Sequence, residues 1–190
     1  MHQITTTDAL VLGKRGVGEA NVLVSLLTRD LGLLRVSARS ARLDVSKLRY
    51  GLEPLTRARY SMVRGRHEWK LTGVAMPRRL PPTTSREQRQ AAGRIARLLL
   101  RLIHGEEPVP DLYATVVAGL DALLSISEIE SVECVLVLRI LSQLGYVSDT
   151  AEAQPFLVST AFTPEVLAAA TASRLPLVHI INASIAVTGL

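Results

Sequence analysis

Basic side chains recur between residues 14 and 66 of this 190-residue chain in a pattern suited to one chemistry, the electrostatic holding of a polyanion. In Leu34 to Arg39 polar or basic residues alternate with apolar ones. Side chains alternate across a pleated strand, so Arg35, Ser37 and Arg39 are expected on one face and Leu34, Val36 and Ala38 on the other. The apolar face packs on a core while the cationic face meets a phosphate backbone. The candidate contacts are Lys14, Arg15, Arg35, Arg39, Arg42, Lys47, Arg49, Arg57, Arg59, Arg64 and Arg66. Any one of them taken singly reads as a solvated strand residue. As a set they repel one another, and an anion relieves that repulsion. Tyr50, Tyr60 and Trp69 can stack on bases or fill a core, and Trp69, within Glu68-Trp69-Lys70-Leu71, reads as core.

A second basic series, Arg94, Arg97 and Arg101, has the three- and four-residue spacing of one helix face. It reads either as the polar side of an amphipathic helix or as a row of guanidinium groups that receives a peptide carboxylate or a phosphate. Catalytic chemistry is poorly supplied. His2, His67, His104 and His179 are scattered, without a second ligand at metal spacing. Gly13-Lys14-Arg15-Gly16-Val17-Gly18 lacks the Gly-Lys-Ser/Thr ending of a phosphate loop, and no acyl-transfer elbow is present. No catalysis, cofactor or metal is expected.

The elements that must position these residues divide the chain in two. Residues 1–80 hold 15 Lys+Arg against 6 Asp+Glu, whereas residues 81–190 hold 7 against 11, so a +9 module precedes a −4 module. In the first, short apolar runs at 8–14, 20–28, 32–39, 54–64 and 69–76 predict five strands, with turns at Gly16-Val17-Gly18 and Arg29 to Gly32. Five short strands point to a small antiparallel barrel or sandwich, ended by Pro77 and Pro81-Pro82. Helical periodicity then takes over. Ser85 and Gln88 suit a capping box for a helix ending at Gly105, a second helix covers about 110–125, and Ser127 with Glu130 caps a third running to Gly145. That third helix is apolar on nearly every side and belongs at the centre of a helical domain. Helices at about 163–172 and 174–188 follow a loop or weak hairpin at 146–162. The expected class is therefore α+β in two parts, residues 1–80 and 81–190. Cys134 has no partner for a disulfide, and the N-terminus has no basic-then-apolar leader, so a cytoplasmic protein without a membrane span is expected.

The order of several short segments resembles the RecO family of bacterial recombination mediators. These are Thr7-Asp8-Ala9-Leu10-Val11-Leu12, Gly18-Glu19-Ala20-Asn21, Leu27-Thr28-Arg29-Asp30-Leu31-Gly32, Ser37-Ala38-Arg39-Ser40-Ala41-Arg42 with Ser46-Lys47-Leu48, and Leu52-Glu53-Pro54-Leu55-Thr56. The last is the most distinctive, being similar to the family's Leu-Gln-Pro-Phe run. Later, Leu138 to Tyr146 resembles the family's helix ending in Leu-Gly-Tyr, and Ile181-Asn182-Ala183-Ser184-Ile185-Ala186 its final helix. Many members carry a four-cysteine zinc motif after Leu-Gly-Tyr, where this chain has Val147 to Phe156 without cysteine.

The resemblance implies an N-terminal OB-fold barrel before a helical domain. It also implies a nucleoid-associated DNA-repair factor that binds single-stranded DNA, with duplex DNA as a further ligand, anneals strands and assists recombinase loading. The implied partners are RecR, the acidic C-terminal tail of the single-stranded-DNA-binding protein and, indirectly, RecA. From the residues alone an RNA- or ribosome-associated OB protein stays open, because phosphate contacts do not separate RNA from DNA. A basic scaffold for an acidic protein stays open too.

Overall fold

The computed structural model describes residues 3–43, 46–66, 68–147 and 150–188. The chain forms two compact units, one of Met1–Thr83 with Ile103–Pro108 and one of Thr84–Leu102 with Val109–Leu190.

The first unit is a closed five-stranded barrel of OB type. Its strands are β1 (Ile4–Val17), β2 (Asn21–Thr28), β3 (Leu33–Ala38), β4 (Arg57–Arg64) and β5 (Trp69–Arg78), joined in the order β1-β2-β3-β5-β4 and back to β1. The barrel is not wholly antiparallel, since β3 and β5 run parallel through Val36↔Trp69 and Ser37↔Lys70. β1 serves two neighbours, pairing with β4 over Ile4 to Leu10 and with β2 over Ala9 to Val17. A register shift between Val11 and Gly13 bends the strand where it passes from one neighbour to the other. The strand is longer than the apolar run at 8–14, because β4 hydrogen-bonds Ile4 to Thr7 although these residues carry no apolar alternation.

The expected turn at Gly16-Val17-Gly18 also shifts. Gly16 and Val17 are still strand, paired with Val22 and Asn21, so the hairpin turns at residues 18–20. The glycine-bearing segment Gly13 to Gly18 is thus mostly strand rather than a phosphate-cradling loop. β5 passes through Pro77 to Arg78, which pairs with Arg57, because a register shift lies between Arg57 and Arg59. Proline is tolerated at such an irregularity, where a ladder donor is not needed.

Inward alternation fills the barrel with Val11, Val22, Val24, Leu26, Leu34, Val36, Tyr60, Met62 and Leu71, all buried. Between β2 and β3, Gly32 has φ +67°, and a Cβ there would lie 2.4 Å from the Glu107 carbonyl oxygen. That close approach ties residues 103–108 to the barrel, and only glycine leaves room for it.

The helical unit contains α1 (Arg86–Leu102), α2 (Leu112–Ser125), α3 (Ile129–Gln143), α4 (Gln154–Leu157), α5 (Pro164–Ala172) and α6 (Arg174–Val187). The capping box of α1 forms reciprocally, with Ser85 N–H donating to Gln88 Oε1 at 2.9 Å and Gln88 N–H to Ser85 Oγ at 3.1 Å. Thr163 Oγ1 likewise accepts from Val166 N–H to start α5. The expected Ser127/Glu130 box does not form: α3 begins at Ile129, its N-cap is Glu128, and no side chain caps it. The Glu130 carboxylate is instead held by Arg174 of α6.

As its composition predicts, α3 is central and touches all five other helices. Arg139 lies on it, 4% exposed. Its guanidinium donates to the carbonyls of Phe156 (2.8 Å), Thr160 (2.9 Å) and Ala161 (2.9 Å) and lies 4.6 Å from the Phe162 ring centroid. Burial lowers its pKa, yet a guanidinium stays protonated in a protein. This cation gathers residues 156–162 around itself, so a segment expected to be loop or hairpin instead carries α4 and a fixed irregular stretch. No single described helix is long and apolar enough to cross a membrane; α5 and α6 reach that composition only as a pair bent by 82°.

Replacing Arg139 with methionine keeps apolar bulk and strands three carbonyls. Loss of these charge-assisted bonds should cost about 3 kcal/mol or more. A fall in the urea midpoint, with faster amide exchange in 156–162, is expected. Arg139→Lys should recover under half of the loss, because one ammonium cannot span all three acceptors. An unchanged midpoint would show that the buried cation does not hold this unit together.

Candidate nucleic-acid interface

Lys14 and Arg15 are adjacent on β1, so alternation sends them to opposite faces. Lys14 pairs with Val24, a buried barrel residue, and points towards the open end of the barrel. There it lines a cleft of about 340 Å³ with Arg42 and Arg49, over a floor of Val22, Ala41 and Leu52. Arg42 is fixed in place: its Nη1 donates to the Gly18 carbonyl at 3.1 Å, and its backbone N–H donates to Ala20 at 3.0 Å. The loop after β3 is thereby latched to the β1–β2 turn. Arg49 opens a single 3₁₀ turn, Arg49–Gly51, on the other wall. Among the described residues lining the cleft three cations face one acid, Glu53, whose Oε1 accepts from Lys14 Nζ at 2.8 Å. The site is a concave, cation-lined notch with an apolar floor, large enough for a phosphate and part of its sugar.

Arg15 belongs to the outer surface. Cross-strand register places Arg15, Leu23, Ser37 and Lys70 in one row over β1, β2, β3 and β5, with Gly13, Ser25 and Arg35 in the next row. This sheet face therefore carries Arg15, Arg35 and Lys70. Arg39 does not continue it. β3 ends at Ala38 and Ser40 has φ +53°, so Arg39 lies in a turn and the strand alternation expected to align it with Arg35 has already stopped. Lys47 is exposed in the following turn.

Three of the remaining candidates lie elsewhere on the barrel and are engaged or crowded. Arg59 pairs with Asp8 at 3.2 Å, and Arg29 reaches the same carboxylate at 3.4 Å. Arg64 pairs with Glu106 at 2.8 Å and lies 5.3 Å from the Trp69 ring centroid. Arg57 is half-buried opposite Arg78. Arg66 is exposed between β4 and β5. Among the described residues Arg15, Arg35, Arg39, Lys47 and Arg66 have no acidic partner. The cations therefore fall into a mouth cluster (Lys14, Arg42, Arg49), a sheet-face cluster (Arg15, Arg35, Lys70) and a set paired with Asp8 or Glu106 (Arg29, Arg59, Arg64), while Arg39, Lys47, Arg57 and Arg66 belong to none of these. Sequence reasoning omitted Arg29, Lys70, Arg78 and Arg79, and only the paired Met76-Pro77-Arg78-Arg79 offered a local signal.

Of the three aromatic rings, Tyr60 is fully buried and donates its hydroxyl to the Gly51 carbonyl at 2.7 Å. Trp69 is core, 7% exposed, with Nε1–H donating to Glu106 Oε1 at 3.2 Å. Tyr50 is exposed.

In the helical unit, Arg94 is not part of an unpaired row. Its Nε and Nη2 both donate to the Glu133 carboxylate of α3 at 2.6 Å, and this pairing raises its pKa. The acid lies 39 residues away in sequence, beyond the reach of helix spacing. Arg97 and Arg101 are exposed and, among the described residues, without an acidic partner. Cys134 is partly buried, and desolvation raises its thiol pKa, which makes it a poor nucleophile. No group of three or more His, Cys, Asp or Glu among the described residues is placed to hold a metal; His2 and His67 lie outside those residues.

Two family models match the chain: recombination protein O N terminal over residues 1–75, and recombination protein O C terminal over residues 88–152. Among curated relatives, a DNA repair protein RecO from Heliobacterium modesticaldum is 33% identical over 140 residues, 73% of this chain and 50% of that protein. One from Thermodesulfovibrio yellowstonii is 31% identical over 147 residues, 76% of this chain and 58% of that protein. A third, from Dehalococcoides mccartyi, is 42% identical over 67 residues, 35% of this chain and 26% of that protein. The chain spans about half the length of the curated relatives it matches first.

Glu53 is the acid that offsets the mouth cluster, so Glu53→Gln should tighten binding of a polyanion at low ionic strength. One partly screened charge is worth roughly 0.2–1 kcal/mol, a factor of about one and a half to five. Fluorescence anisotropy with a labelled oligonucleotide measures it. Unchanged affinity would place the anion away from the mouth.

Proposed function

Because the chain belongs to the recombination protein O family, we propose that it acts in DNA repair and homologous recombination as a non-enzymatic mediator. In this reading residues 1–80 are the nucleic-acid-binding domain. The barrel binds single-stranded DNA through Lys14, Arg42 and Arg49 at its mouth and Arg15 and Arg35 on its face, with Arg39 and Lys47 along the loop between them. Cations held at these points neutralise phosphates and release counterions. They also screen the repulsion between two strands brought together for annealing. Duplex DNA offers the same phosphates and is a further ligand. The observation that carries the reading is the mouth cleft, in which residues 14, 42 and 49 converge.

The helical domain, residues 81–190, is assigned to protein partners: RecR, the acidic C-terminal tail of the single-stranded-DNA-binding protein and, through recombinase loading, RecA. With Arg94 committed to Glu133, the tail's carboxylates fall to Arg97 and Arg101.

Two charge reversals test the assignment in the full chain. Arg35→Glu with Arg42→Glu should weaken single-stranded DNA binding by tenfold or more at low salt. For every phosphate that is no longer neutralised, the slope of log K against log salt should also become shallower by about 0.7. Arg97→Glu should leave DNA affinity unchanged and weaken an acidic tail peptide in isothermal titration. Full DNA affinity in the folded double variant, or tighter binding of matched RNA than of DNA, would overturn the reading. Equal peptide affinity for Arg97→Glu and the parent would remove the tail from α1.

A further inference from the structure

We propose that Tyr50, with Arg79, is a stacking platform for one unpaired nucleobase beside the barrel mouth; the inference rests on the single-stranded DNA reading above and names what that site recognises.

Three observations carry it. Tyr50 is 58% exposed, while Tyr60 and Trp69, the other two aromatic rings of the barrel unit, are buried in the core. A lone exposed ring is ordinarily no sign of a site. Here, however, its backbone is immobilised. The 3₁₀ turn is closed by Gly51 N–H donating to Leu48 at 3.0 Å, and the Gly51 carbonyl accepts the Tyr60 hydroxyl at 2.7 Å from inside the barrel. A Cβ on Gly51 would lie 2.4 Å from Val74 Cγ1, so the turn sits hard against β5. A ring carried on such a turn loses little freedom when a base stacks on it, and the entropy cost of binding is correspondingly low.

Second, the Arg79 guanidinium lies 5.7 Å from the Tyr50 ring centroid. A cation over an aromatic face leaves the ring's other side for a base and supplies a charge for the phosphate beside it. Third, Tyr50 directly follows Arg49, a lining residue of the mouth cleft. A strand whose phosphate lies between Lys14, Arg42 and Arg49 has its next base within reach of this ring. Paired bases in a duplex are already stacked and cannot be delivered to it. The platform therefore distinguishes unpaired from paired DNA, which the cations by themselves do not.

The test uses the full chain and three probes of equal length: oligothymidylate, an oligomer of abasic sites with the same phosphates, and a duplex. Tyr50→Ala should weaken oligothymidylate by roughly five- to a hundredfold, the span expected for one base–aromatic stack. It should leave the abasic oligomer and the duplex within twofold. The Tyr50→Trp variant should retain affinity and show fluorescence quenching by oligothymidylate but not by the abasic oligomer. Wild-type affinity for oligothymidylate in Tyr50→Ala, or equal weakening for the thymidylate and abasic probes, overturns the platform. Failure of the parent protein to bind either single strand overturns the DNA reading itself.

Discussion

Barrel closure is the constraint on which the functional surface depends. A five-stranded barrel encloses space for only one set of alternating side chains, and Tyr60, Met62, Leu26, Leu34 and Val36 occupy it. Charge cannot enter that interior without a partner. Fifteen basic residues within the first 80 must therefore lie on the outer wall, at the open ends or in the loops. The same rule separates Lys14 from Arg15: one residue of register sends the first to the mouth and the second to the sheet face.

Acids do as much as bases to shape the surface that remains. Asp8 lies between Arg29 and Arg59, Glu106 takes Arg64 and the Trp69 indole, and Glu53 restrains Lys14. These are half-exposed pairs, each worth little in stability. Their effect is on which cations stay available to a phosphate. Glu106 comes from residues 103–108, beyond the first helix, and reaches the barrel because Gly32 leaves space for that segment.

In the helical unit the organising interaction is a buried cation. Arg139 replaces a hydration shell with three carbonyls and an aromatic face, and in doing so fixes residues 156–162, which have no periodicity of their own. The Arg94–Glu133 pair joins α1 to α3 in the same unit. Of the stripe read from α1, it leaves Arg97 and Arg101 outward.

The sequence by itself determined what depends on near neighbours: the period of two in β3, the period of 3.6 in α1, the all-round apolar composition of α3, the Ser85/Gln88 box, and the division between a basic and an acidic half. These are set by pleat, helix pitch and local hydrogen bonding, all of which act over a few residues. Tertiary structure decided whatever depended on a distant partner. Ile4 to Thr7 became strand because β4 was there to pair with them. Glu130 left its cap position for Arg174, and Arg94 left an apparently free stripe for Glu133. Among eleven candidate cations, which three converge on one cleft and which are neutralised followed from strand register and chain return. No spacing rule contains either, because both are set by interactions between residues tens of positions apart.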